Sequence, residues 1–305
     1  MKLFITGASG FVGAATVRAA LRRNHAVVAH CRAGRPTPRL DGLAGPLQRL
    51  DLDLRDEAAL AAALVEHQPD AVIHLAWEGV RNTEHGARAQ LDGNLAMSCA
   101  VARAAAAAGV GCFAGIGSQG EYGPEGPRHE DSLPQPVTLY GASKVAAYFL
   151  TREIARQNAM RHVWLRLFSA YGPGDNDCWL IPMLIREMLA GRRPEMTAGT
   201  QSWDWLHVDD AAEGVLAAVL STRAAGIYNL GSGQAVRVRD VATMIRDLAA
   251  PGLELVFGER PFGPGQIMFM QADIARLCAD TGWRPQVELP RGLAETVDWY
   301  RRHAG

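Results

Sequence analysis

The stretch Leu3-Phe4-Ile5-Thr6-Gly7-Ala8-Ser9-Gly10-Phe11-Val12-Gly13 constrains this chain more than any other. Apolar, β-type residues run into glycines at 7, 10 and 13, and a helical pattern follows. The glycines permit a tight strand-to-helix turn, let a diphosphate approach the backbone and seat the helix on the strand. Unpaired amides at the helix start carry positive partial charge, which suits a pyrophosphate. Ordinary glycine-rich turns share this spacing, but its place at residue 7, opening a βαβ unit, favours dinucleotide binding.

Apolar runs at 2–6, 26–30, 71–76, 112–117 and 162–168 read as strands. Helical periods at 11–23, 57–67, 87–108 and 140–156 lie between them, and the alanine run 104–108 reads as a helix end. This alternation predicts an α/β fold, a Rossmann-type doubly wound parallel sheet with helices on both faces. The pattern breaks after Tyr171 and resumes with a helix at 209–221 and a strand at 227–230. Residues 1–172 are therefore expected to form the dinucleotide-binding domain, with 204–235 returning to it. Residues 173–203 and 236–305 would form a smaller, discontinuous C-terminal substrate lobe.

The second strand ends His30-Cys31-Arg32, with Arg35 close behind. A ribose 2′-hydroxyl calls for a carboxylate here and a 2′-phosphate for arginine. No acidic residue follows the strand, and guanidinium holds phosphate bidentately, so NADP(H) is favoured, with NAD(H) the alternative. Asp53 and Leu54 are placed to touch the adenine, although Asp51 offers the same chemistry.

Tyr140 and Lys144, four apart, share one helix face. Bringing a phenol from its ordinary pKa near ~10 to about 7 takes about 4 kcal/mol, which a nearby cation and a charged nicotinamide can supply. A Tyr/Lys pair at this spacing is common on surfaces. Composition argues otherwise: among 31 basic residues only Lys2 and Lys144 are lysine, so an incidental cation would be arginine. Ser118 follows the strand Phe113-Ala114-Gly115-Ile116-Gly117 in a glycine-rich loop, at the carboxyl end where open α/β sheets bind ligands. Its hydroxyl would meet the carbonyl oxygen that Tyr140 protonates.

Together these features resemble the extended short-chain dehydrogenase/reductase family, the branch acting on nucleotide sugars. Further matching segments are Ile73-His74-Leu75-Ala76, Asn94, Arg166-Leu167-Phe168-Ser169-Ala170-Tyr171-Gly172-Pro173-Gly174, His207-Val208-Asp209-Asp210, Tyr228-Asn229-Leu230-Gly231 and Gly282-Trp283-Arg284-Pro285. The resemblance implies catalysis by Ser118, Tyr140 and Lys144. It implies a cofactor held by Gly7, Ser9, Gly10, Phe11, Val12, Gly13, Arg32, Arg35, Asp53, Leu54, Leu75, Ala76, Trp77, Asn94, Tyr140, Lys144 and Phe168. Trp77, Ser118, Gln119, Ser169, Trp179, Trp203 and Arg260 would meet the substrate, with Arg186 or Arg193 assisting at the diphosphate. Two positions depart from many members, which carry Asn at Ser169 and Arg at Trp203. A homodimer paired through the helices at 87–108 and 140–156 is also implied.

Dehydratases of this family place an Asp-Glu pair directly after the catalytic Ser/Thr, where this chain has Gln119 and Gly120. The resemblance then implies an NADPH-dependent reductase of a nucleotide-linked 4-keto-6-deoxyhexose. An NAD-dependent 4-epimerase is the alternative, and a non-catalytic NADP(H) sensor a more distant one. A combined 3,5-epimerase and 4-reductase would need an extra acid/base pair such as Cys178 with His207. The formal net charge of -1 without a basic block argues against a nucleic-acid partner. No apolar run approaches a bilayer's thickness, so no membrane partner and a cytoplasmic location are expected. Five scattered cysteines suggest neither disulfides nor a metal site.

Overall fold

The computed structural model describes residues 1–263 and 265–303. In chain order the strands are β1 (Lys2–Thr6), β2 (Ala26–Cys31), β3 (Leu47–Asp51), β4 (Ala71–His74), β5 (Cys112–Ser118), β6 (Glu125–Arg128), β7 (Arg161–Leu167), β8 (Ser169–Tyr171), β9 (Ser202–His207), β10 (Gly226–Leu230), β11 (Ala235–Arg237) and β12 (Phe269–Ala272). The α-helices are α1 (Phe11–Arg22), α2 (Glu57–His67), α3 (Ala96–Ala107), α4 (Leu139–Gln157), α5 (Leu180–Leu189), α6 (Val208–Leu220), α7 (Val238–Ala249), α8 (Ala275–Thr281) and α9 (Leu289–His303).

Seven strands form one parallel sheet ordered β10-β7-β5-β4-β1-β2-β3. Strand periodicity sorts its side chains onto two faces. Leu3, Ile5, Val27, Ile73 and Ala114 pack against α1 and α6, while Phe4, Val28, Val72 and Phe113 pack against α2 and α3. Both faces are covered, so the strands are apolar nearly throughout, as a doubly wound sheet requires.

A second sheet runs β11-β9-β12-β6, with β8 attached to β9. It corrects the expected boundaries in two places. Residues of β9 join this sheet and not the large one; the chain returns to the large sheet only with α6 and β10. The strand β6, inside the segment expected to serve the dinucleotide domain, pairs with β12. Its sequence, with Gly126 and Pro127, has no apolar alternation.

The expected helix at 87–108 is two elements. Gln90–Leu95 is π-helical, and α3 follows. Such widened turns often mark functional sites. Here the turn buries Gln90 and Asn94 completely. No described helix is long and apolar enough to cross a membrane.

Candidate active site

The turn between β1 and α1 is closed by Gly10 N–H donating to the Gly7 carbonyl at 3.0 Å. Gly7 has φ +66°, and a Cβ there would lie 2.7 Å from the Ala76 nitrogen. At Gly13 a Cβ would collide with the Gly7 carbonyl. Leu75 and Ala76, leaving β4, thus back directly onto the turn. Gly10 caps α1 without a side chain, leaving the first amides of the helix free of one. Phe11 and Val12 lean on the core, Ser9 is half-buried in the turn, and the Cys31 thiol at the end of β2 donates to the Ala29 carbonyl at 3.7 Å. A bare-backbone cradle at a helix start fits a dinucleotide diphosphate.

Around the end of β2 the picture is more charged than expected. Arg32 is exposed, and its Nη2 donates to Glu78 Oε1 at 2.7 Å; Arg35 is exposed too. Glu78 arrives from the loop after β4, so the carboxylate missing from the chain after β2 is supplied through space. The Asp53 carboxylate is gripped by Arg55 at 2.9 and 2.8 Å, which pulls its pKa down to about 2. Leu54 is buried against Phe4 and Val28.

Ser118 ends β5, and its Oγ accepts from Gly120 N–H at 3.1 Å. Tyr140, in the first turn of α4, sets its ring beside the Ser118 loop: a Cβ on Gly120 would lie 3.5 Å from Ser118 Oγ and 3.7 Å from the Tyr140 ring; Thr138 caps that helix through Gly141 N–H at 3.1 Å. One turn along, the buried Lys144 donates from Nζ to the Ile116 carbonyl at 2.7 Å. Its Nζ stands 3.6 Å from the Trp77 ring centroid and 5.8 Å from that of Tyr140. Burial pushes the Tyr140 phenol up to about 12, outweighing the opposing effect of the nearby Ser118 hydroxyl, and lowers Lys144 to about 7. Desolvation is the largest influence on the phenol in the ligand-free chain; the expected lowering involves a bound, positively charged nicotinamide together with the lysine.

Sequence reasoning missed three groups around this centre. His85 stacks on the Tyr140 ring, centroids 4.3 Å apart, and its carbonyl accepts from Tyr140 N–H at 3.0 Å. Glu121, the first carboxylate after Ser118, is wholly buried: it accepts from Ser118 N–H at 2.9 Å, Trp164 Nε1 at 3.0 Å and Arg166 Nε at 2.8 Å. Arg166, equally buried, lies over the Tyr122 ring. Glu121 thus fixes the Ser118 loop and has no face left for proton transfer. Its burial had no sign in a glycine-rich loop sequence.

Other expected residues take varied positions. Trp77 Nε1 donates to Gln90 Oε1 at 2.9 Å while its ring covers Lys144. Asn94 grips the Glu78 backbone on both sides, accepting from N–H at 2.8 Å and donating to the carbonyl at 2.9 Å; it shapes the loop after β4. Phe168 is buried against Tyr122, Met270 and Ala272, at the junction with the second sheet. Gln119 Nε2 reaches Ser169 Oγ at 3.4 Å, and the Gln119 Oε1 is buried without a partner. Trp203 Nε1 is spent on the Ile267 carbonyl at 3.1 Å. Trp179 caps α5 without a side-chain bond, and Arg260 is exposed. Arg186 and Arg193 pair with Asp177 and Glu259. His207 caps α6 and packs edge-on against Tyr171, a structural post that leaves Cys178 without the suggested partner among its hydrogen bonds.

Residues 3–231 match the family described as NAD dependent epimerase/dehydratase. The chain is 30% identical to the GDP-6-deoxy-D-mannose reductase of Pseudomonas aeruginosa, covering 99% of this chain and 98% of that protein. It is 28% identical to a dTDP-glucose 4,6-dehydratase from Streptomyces niveus, over 99% and 93% of the two chains. The solved structure of MoeE5 in complex with UDP-glucose and NAD superposes with a TM-score of 0.86 at 30% identity, covering both chains completely.

Proposed function

This chain belongs to the NAD-dependent epimerase/dehydratase family, and we propose that within it the protein is an NADPH-dependent reductase of a nucleotide-linked 4-keto-6-deoxyhexose. The family membership makes it a nucleotide-sugar-modifying enzyme of NAD(P)-dependent oxidoreductase type. The finer reading rests chiefly on the proton inventory. Tyr140 is the one phenol beside Ser118, and the carboxylate next to Ser118 is locked to Arg166. A site with one phenol and no free carboxyl pair suits a single proton delivery to a ketone oxygen. Dehydration needs an acid and a base, and Gln119 and Gly120 supply neither.

Bound NADPH would supply the hydride to the ketone carbon. Tyr140 gives its proton to the oxygen, Ser118 orients that oxygen by a hydrogen bond, and Lys144 holds ribose hydroxyls and steadies the phenol's electrostatics. The cradle of Gly7, Gly10 and Gly13 takes the diphosphate, and Arg32 the 2′-phosphate. Gln119, with its unpartnered oxygen, and Ser169 are the polar groups beside Ser118 fit to contact the sugar. The similarity to the GDP-6-deoxy-D-mannose reductase supports this reading. We also propose a homodimer through α3, the π-helical turn before it and α4, since Leu91 in that turn and Phe149 and Leu150 on α4 leave large apolar surface exposed.

Releasing and identifying nucleotide from the purified protein tests the choice against an epimerase. Exchangeable NADP(H), or none, agrees with a reductase; stoichiometric NAD that leaves only on unfolding agrees with an epimerase.

A further inference from the structure

The end of β2 in this fold decides between a ribose hydroxyl and a ribose phosphate. Two opposed groups meet there. Arg32 Nη2 and Glu78 Oε1 are 2.7 Å apart, and both side chains are about half exposed, so each remains open to a ligand. The Arg32 charge also acts on Asp53, and the Glu78 charge on Arg55, so the ends of β2, β3 and β4 gather two cations and two anions.

Glu78 is not on a free loop. Asn94, fully buried, clamps its N–H and its carbonyl, and Gln90 Nε2 holds the next carbonyl, that of Gly79, at 2.6 Å. The π-helical turn exists where these two amides leave the helix to bind that loop. The carboxylate is thereby presented to Arg32 from a fixed backbone.

We propose that Glu78 is a specificity-determining residue for the cofactor, an internal competitor of the 2′-phosphate for Arg32 that lets the site accept NADH as well as NADPH. This deepens the NADPH reading above and rests on it. A 2′-phosphate must displace the Glu78 carboxylate from Arg32 and tolerate the like charge beside it, which weakens the phosphate's advantage. A 2′-hydroxyl instead donates to Glu78 while Arg32 keeps its partner.

The test needs no sugar substrate. Binding of 2′,5′-ADP and of 5′-ADP to the full chain is measured by calorimetry for wild type, Glu78→Gln and Arg32→Gln. Glu78→Gln is expected to raise the affinity ratio of 2′,5′-ADP to 5′-ADP about 10-fold, and Arg32→Gln to lower it by a similar factor. An unchanged ratio in Glu78→Gln, or a parallel loss of both ligands, overturns the competitor role. An unchanged ratio in Arg32→Gln instead overturns the NADPH preference itself, so the two failures are distinct. Salt dependence gives a second readout: the 2′,5′-ADP affinity of Glu78→Gln falls more steeply with ionic strength than that of wild type, and equal slopes count against the proposal.

Discussion

The imidazole of His85 lies parallel to the phenol of Tyr140, ring centroids 4.3 Å apart and planes 7° from parallel. Trp77 meets the same phenol edge-on at 6.1 Å, so the proposed proton donor is held between two aromatic walls. Such a pair is worth about 0.5–1.5 kcal/mol, which converts to a rate factor of up to about ten. His85→Ala should lower kcat by roughly that factor, while His85→Phe, which keeps the stack, should retain most of it. Equal kcat in wild type and His85→Ala would show that the stack plays no part in orienting the phenol.

The buried Glu121–Arg166 pair sets the loop carrying Ser118. Removing one partner leaves a guanidinium without its counter-charge in a dry site, which costs about 3–5 kcal/mol. Glu121→Gln is thus expected to melt well below wild type, measured by calorimetry or circular dichroism. A stability equal to wild type would mean that the pair contributes nothing to the loop.

Lys144 gives stability a pH dependence. Its pKa is lowered to about 7 by burial, so between about pH 7 and about 10 the unfolded chain binds a proton that the native chain does not. Stability of the ligand-free protein therefore rises across that window, and the penalty is complete below it. Tyr140, raised to about 12, acts in the opposite sense above about pH 10. Urea midpoints at several pH values should show wild type gaining several kcal/mol relative to Lys144→Met between pH 7 and 10. A pH-independent difference would contradict a buried, neutralised lysine.

Much of this was legible in the chain itself. The glycine turn, the alternating elements and the Tyr140/Lys144 spacing are local patterns, and the parallel sheet follows from them. What stayed hidden depends on contacts between distant segments. Glu78 faces Arg32 across 46 residues of chain, so a reading confined to the end of β2 finds only arginines. Phe168 lies in a family-like motif and Leu54 follows β3, and that packing buries both is not written in either local stretch. The strand β6 has no apolar pattern to betray it, and the direction of the Tyr140 shift depends on burial, which no spacing reports.

The proposed dimer can be checked separately. Phe149 and Leu150 on α4 are 46% and 44% exposed, an unusual amount of apolar surface for an isolated helix face. Light scattering should find a dimer for wild type and a monomer for Phe149→Asp. A wild-type monomer at micromolar concentration would contradict the proposed pairing.

The central claim is that Tyr140 delivers one proton in an irreversible use of reduced nicotinamide. Mixing the protein with NADPH and a nucleotide-linked 4-keto-6-deoxyhexose, and following reduced-nicotinamide absorbance together with product, measures it directly. One NADPH should disappear for each 4-hydroxy sugar formed, and Tyr140→Phe should abolish the reaction while still binding NADPH. Product formed with no net loss of NADPH, or full turnover by Tyr140→Phe, would contradict the account.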